Sequence, residues 1–254
     1  APTLRPDGSI LKEKGFDPAT RLFLLDSPPM PELPIEPTRE DALIALESLE
    51  ELLIEFPFVN EASKSVALSA LITPVVRGAC NVVPMHGIRA PTPGGWKIYL
   101  LDITAAIAIG QRCPIIAAGR TEEETEKRLG AALRTGQSII SIDNCNGDIG
   151  GDALCQMIER PTVSIRILGK SEQVTIESRS IIFANGNNVR LKGDIARRTI
   201  QCTLDAEKER PELRAFSGNP RNMVMDDRGT YIAAALTILR AYIWAAKRDI
   251  IILR

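Results

Sequence analysis

Four sets of residues capable of chemistry follow one another along the chain. The first is Gly94-Gly95-Trp96-Lys97, inside Ala90-Pro91-Thr92-Pro93-Gly94-Gly95-Trp96-Lys97-Ile98. A short apolar stretch, residues 82–88, leads into it. An apolar helical pattern (Leu100, Leu101, Ile103, Ala106, Ile107) leads out. Strand, Pro/Gly turn, lysine and helix form a layout in which backbone N–H groups cradle phosphates and the lysine reaches the terminal ones. The strict motif asks for Gly, four residues, then Gly-Lys-Ser/Thr. Those positions here hold Pro91, Trp96, Lys97 and Ile98, so only the lysine keeps the pattern.

The second set is Ser138-Ile139-Ile140-Ser141-Ile142-Asp143-Asn144, an apolar strand ending in an acid. An acid there can hold Mg²⁺ through water beside bound phosphates. The third, Ile181-Ile182-Phe183-Ala184-Asn185-Gly186-Asn187-Asn188, is a buried strand ending in amides, and Asn187 is placed to orient an attacking water. The fourth is the pair Arg197 and Arg198, which in a ring could reach a neighbouring subunit's nucleotide as a finger. Taken singly, each has an ordinary alternative. Asp143 could be a cap or turn residue. Asn187 and Asn188 could be turn formers, and the arginines a solvated helix end. It is their order and spacing that point to a P-loop NTPase.

These residues need a scaffold, and the chain supplies one. From residue 82 onward strand signals (82–86, 114–118, 138–142, 180–184, 199–204) alternate with helical ones (97–109, 121–135, 150–159). That predicts an α/β fold, a parallel sheet with helices on both faces. Residues 162–168 and 173–177, joined by Gly169-Lys170-Ser171, read as an inserted β-hairpin with Lys170 at its tip. Lys170 could touch a DNA backbone, or be an exposed lysine in a polar turn. Ahead of the core, residues 1–26 read as the tail of an upstream region. Residues 27–37, with five prolines, read as an extended linker. Residues 38–80 read as a helical collar, starting at a Thr38 cap with Glu40 and Asp41 in the first turn. The core occupies 81–210 and a partial helical lid 211–254.

Composition narrows the classes. With 254 residues, 44% of them apolar and 25% charged, the chain can bury a full core. A net charge of −1 means that any nucleic-acid contact needs a local basic patch. Five cysteines without a Cys-x-x-Cys pair argue against a disulfide framework or zinc site and point to a reducing cytoplasm. Cys145 and Cys155 read as small buried hydrophobes, and His86, the lone histidine, as structural. The apolar stretch 231–239 is cut by Arg240 before it could span a bilayer.

The chain resembles the C-terminal helicase-like AAA+ region of primase–helicase proteins carried by bacterial prophages, plasmids and integrated elements. The resemblance rests on the 90–97 loop, Ala117-Ala118-Gly119-Arg120-Thr121-Glu122-Glu123-Glu124-Thr125-Glu126-Lys127-Arg128, Ile142-Asp143-Asn144, Ile167-Leu168-Gly169-Lys170-Ser171-Glu172, Ala184-Asn185-Gly186-Asn187-Asn188 and Glu209-Arg210-Pro211-Glu212-Leu213-Arg214. It implies an ATP- and Mg²⁺-dependent DNA helicase module with an inserted hairpin and a partial lid. Its phosphate ligands would be Gly94, Gly95 and Lys97, and its metal ligand Asp143. Asn187, Arg197 and Arg198 would assist hydrolysis, and Lys170 would contact single-stranded DNA. It further implies assembly into a ring and a primase region upstream. Two departures from the family pattern carry expectations. Trp96 places an indole where backbone should pass close to phosphate, and Ile98 removes a hydroxyl that would hold Mg²⁺. They leave open an inactive P-loop module acting in assembly or DNA binding. A metabolic α/β enzyme is the third reading, and no acid–base cluster stands out for it.

Overall fold

In a computed structural model, residues 1–91, 95–166, 172–205 and 218–249 are described, those at 188 and 247–249 by backbone only. The chain opens with two antiparallel pairs, β1 (Thr3–Leu4) with β2 (Ile10–Leu11) and β3 (Gly15–Asp17) with β4 (Leu22–Leu24). Helices α1 (Arg39–Glu51) and α2 (Glu61–Val76) follow. Thr38 caps α1 in a reciprocal box: its hydroxyl accepts from the Asp41 N–H (3.1 Å) and its own N–H donates to the Asp41 carboxylate (2.7 Å).

The core then alternates: β5 (Met85–Arg89), α3 (Trp96–Ile109), β6 (Ile115–Ala117), α4 (Glu122–Arg134), β7 (Ile139–Asp143), β8 (Asn146–Ile149), α5 (Asp152–Glu159), the hairpin β9 (Thr162–Arg166) and β10 (Gln173–Glu177), β11 (Ile181–Gly186), β12 (Asn188–Leu191) and β13 (Thr199–Thr203). Two helices, α6 (Pro220–Asp226) and α7 (Arg228–Asp249), close it. Five strands form one parallel sheet in the order β13-β5-β11-β7-β6. This is the α/β architecture that the alternating signals predict, with the inserted antiparallel hairpin in its expected place. The hairpin tip, Lys170 included, lies outside the described residues.

Apolar burial divides by sheet face. On one side Leu49, Leu71, Leu100, Ile103, Phe183, Ile232 and Leu236 pack together. On the other Leu129, Leu133, Ile140, Ile142, Leu154 and Ile182 do so. The period of two along β7 and β11 makes the split: Ile139, Ser141 and Asp143, like Ile181, Phe183 and Asn185, turn towards α3. Among the described residues one helix, Arg228–Ala246, is long and apolar enough by composition to cross a membrane. Half of it is buried inside the fold, where Ile232, Ala235 and Leu236 serve the core.

His86 is buried beside the Phe183 ring at 5.3 Å and hydrogen-bonds Ser69 through Nε2 at 3.1 Å. Burial pushes its pKa down to about 4, so the folded state holds it neutral. Between pH 6.5 and 4 the unfolded chain binds the extra proton, and stability falls as pH falls through that window. Denaturant unfolding at pH 7 and pH 5 should differ by about 2 kcal/mol from this group. A His86→Gln variant should lose that share of the pH dependence. An unchanged slope would show that His86 titrates alike in both states.

Candidate functional site

The sheet order sets the place where a ligand can bind. The connection leaving β5 runs towards β6 on one edge, and the one leaving β11 runs towards β13 on the other. Neighbouring strands whose connections depart in opposite directions leave a crevice at their C-terminal ends, where open α/β sheets hold ligands. Lys97, in the first turn of α3 behind β5, and Asn187, directly behind β11, both lie there. Lys97 Nζ donates to Asn187 Oδ1 at 2.8 Å.

The strand breaks explain why polar residues meet at this point. The β7–β11 pairing ends at Ala184↔Ile142 and resumes as β8–β12 at Asn188↔Asn146. Asn144 bridges the gap in the left-handed region (φ 54°), which an asparagine tolerates better than most residues. The Asp143 carboxylate accepts from the Asn144 N–H at 2.8 Å. Cys145 N–H donates to Asn185 O at 2.9 Å. A Cβ on Gly186 would stand 2.2 Å from Cys145 O, so only glycine allows this approach. The sequence alone gave no sign of β8 and β12, which build this break.

Lys97 is only 5% exposed. Burial lowers its pKa, and the nearby Asp143 carboxylate opposes that shift. One layer below, the buried Asn185 donates from Nδ2 to Ser141 Oγ at 3.0 Å, and its Oδ1 has no partner. Gly95 starts α3 without a side-chain cap, and a Cβ there would meet nothing within 4 Å. The positive end of this 14-residue helix faces the crevice at Gly95. Gly94 lies outside the described residues.

Trp96 departs from expectation. Its ring is 6% exposed and packs edge-on against Phe56 (5.9 Å, 75°), inside the core and not along the crevice. Trp96, Leu100, Ile103 and Ile107 form one continuous apolar stripe of α3, all buried. The indole is anchored by that stripe in the core. Ile98, in the next position after Lys97, is 39% exposed.

The arginine pair sits elsewhere. Arg197 and Arg198 close a 3₁₀ turn just before β13, at the N-terminal end of the sheet, away from Lys97. Arg198 is held by Glu159 at 2.8 Å and by Asp194 at 3.3 Å. Arg197 is 70% exposed and touches Asp194 at 2.8 Å. Neither reaches the Lys97 crevice of its own chain. The buried Cys113, Cys145 and Cys202 have thiol pKa values pushed up to about 12 by burial, and so stay protonated. Among the described residues no cluster of three or more His, Cys, Asp or Glu side chains is set to hold a metal unaided.

The sequence matches no protein-family model and no curated protein. Among solved structures, it is similar to the apo NrS-1 C-terminal region, with 13% identity and a TM-score of 0.49 over 96% of this chain and 60% of that one. A second form of that region gives 14%, 0.47, 94% and 56%. The structure of JCV helicase gives 11%, 0.37, 83% and 60%. The chain thus spans about half to three-fifths of the NrS-1 chains that it matches.

Proposed function

We propose that the chain is a nucleotide-binding motor module of the DNA-helicase type, from a primase–helicase of a mobile element, acting in the cytoplasm. The observation that carries this reading is the meeting of Lys97 and Asn187 at the switch point of a parallel sheet, with Asp143 ending the adjacent strand. A lysine, an acid, an amide and a helix N-terminus are the groups that phosphoryl transfer from ATP requires, and catalysis there rests on positioning and charge.

In this reading Lys97 leaves Asn187 to bind terminal phosphates, and Gly94, Gly95 and the α3 N–H groups hold the others. Asp143 would hold Mg²⁺, which would supply neutralisation of phosphate charge. Released from Lys97, the Asn187 amide orients water. Arg197, exposed and far from its own crevice, would act on a neighbouring subunit in a ring, with Arg198 as its buttress. Lys170 would contact single-stranded DNA, and a primase region would lie upstream.

A second reading keeps binding and drops hydrolysis: a P-loop module used for assembly or DNA binding. The exposed Ile98 favours it, because no hydroxyl follows Lys97 to hold the metal. Mg-ATP hydrolysis with single-stranded DNA separates the two. A motor turns ATP over, and Asp143→Asn lowers the rate by about a hundredfold, as loss of one charge-stabilising group does elsewhere. ATP binding without turnover would establish the second reading.

A further inference from the structure

A second charged cavity lies at the other end of the sheet. It has a volume of about 500 Å³ and touches Ser138 and Ser180, the residues just before β7 and β11. Four arginines line it (Arg21, Arg77, Arg179 and Arg228) against two carboxylates, Asp26 and Glu177. Asp26 pairs with Arg228 at 2.8 Å. Glu177 is shared between Arg21 at 2.6 Å and Arg179 at 3.3 Å. Arg77 pairs with no carboxylate among the described residues.

Arg77 is 8% exposed. Its terminal nitrogens donate to the carbonyls of Cys80, Ser178 (2.7 Å) and Asn81 (3.4 Å), and its Nε is buried without a partner. Those bonds brace the turn after α2 against the strand entry at Ser178, which explains the hydrogen bonds but not the charge. A guanidinium buried without a counter-ion is costly. Arg179 adds to that cost: burial and the nearby Arg179 charge both pull the Arg77 pKa down. Across the cavity, Arg21 reaches Glu177 from a left-handed backbone position (φ 58°) that a non-glycine residue adopts only under constraint.

One effect opposes an anion here. The cavity lies at the C-terminal ends of α2, α3 and α4, the negative ends of their dipoles. At α3 this is already answered, because Arg228 donates to the carbonyls of Ile107 (3.0 Å) and Ala108 (3.1 Å). The excess of guanidinium over carboxylate decides the sign of the cavity. We propose that it is a second anion site, taking a small phosphate- or carboxylate-bearing molecule on Arg179, with the uncompensated charge of the buried Arg77 behind it. The planar fork of arginine suits either oxyanion. This site is independent of the Lys97 crevice.

The test uses the Lys97→Ala protein, so that phosphate cannot be held by the front crevice. Sodium phosphate and sodium citrate are titrated separately by calorimetry at constant ionic strength, with chloride as the reference. At least one should bind saturably, and the pair of arms tells which oxyanion the site prefers. Arg179→Gln, a change at a half-exposed side chain, should weaken that binding about tenfold. Arg77→Gln should do the same if it folds. Should it not fold, Arg179→Gln decides alone. Absence of binding by both oxyanions, or unchanged binding in Arg179→Gln, would overturn the proposal.

Discussion

Replacing Trp96 by glycine, which would bring the loop nearer the strict phosphate-binding pattern, is expected to destabilise the fold by about 3–5 kcal/mol. The ring is buried against Phe56 and begins the apolar stripe that α3 lays on the core. Its removal leaves a cavity that the neighbouring Leu and Ile side chains cannot fill. In a chain of this length the loss corresponds to a melting temperature lower by roughly 10 °C. Ile98→Ser, at a site 39% exposed, should change stability by no more than about 0.5 kcal/mol and is the substitution that can restore a metal-holding hydroxyl. Thermal unfolding of the two single variants checks both statements. A Trp96→Gly protein that melts with the parent would show that the indole does not bear on the core.

Lys97→Ala carries the largest functional effect. The side chain is buried and, among the described residues, makes one hydrogen bond, to Asn187, so its removal takes a desolvated charge out of the fold together with that bond. Stability should therefore stay close to that of the parent. Affinity for Mg-ATP should fall by about a hundredfold or more, the worth of charge-assisted bonds from lysine to terminal phosphates. Folding retained and binding lost together identify Lys97 as a ligand-holding residue.

Much of this arrangement was legible in the residues. The alternation of apolar runs and helical stripes gives the parallel sheet, and α1 starts behind the expected Thr38 cap. Asp143 and Asn187 fall at strand ends as their positions in the sequence require. The first core strand begins at Met85, three residues later than the apolar run suggests, because Pro84 has no N–H to give a ladder. No strand is expected at Asn146–Ile149 or Asn188–Leu191, yet they pair as β8 and β12. Their pairing continues that of β7 and β11, a tertiary effect that no local propensity carries. For Trp96 the signal was present: its spacing to Leu100, Ile103 and Ile107 is that of one helix face. The position of a motif glycine drew attention to backbone clearance, when the helical stripe already said where the ring would go. The back cavity has no signature in sequence, since Arg21, Arg77, Arg179 and Arg228 are brought together only by the packing of the first hairpins on the core.

The most direct test of the account is a calorimetric titration of Mg-ATP into the parent chain and into Lys97→Ala, with the unfolding transition of each recorded alongside. Saturable binding by the parent, and its loss by about a hundredfold or more in a variant that still unfolds cooperatively, is the expected result. Equal binding by both, or none by the parent at millimolar Mg-ATP, would contradict a phosphate site between β5 and β11.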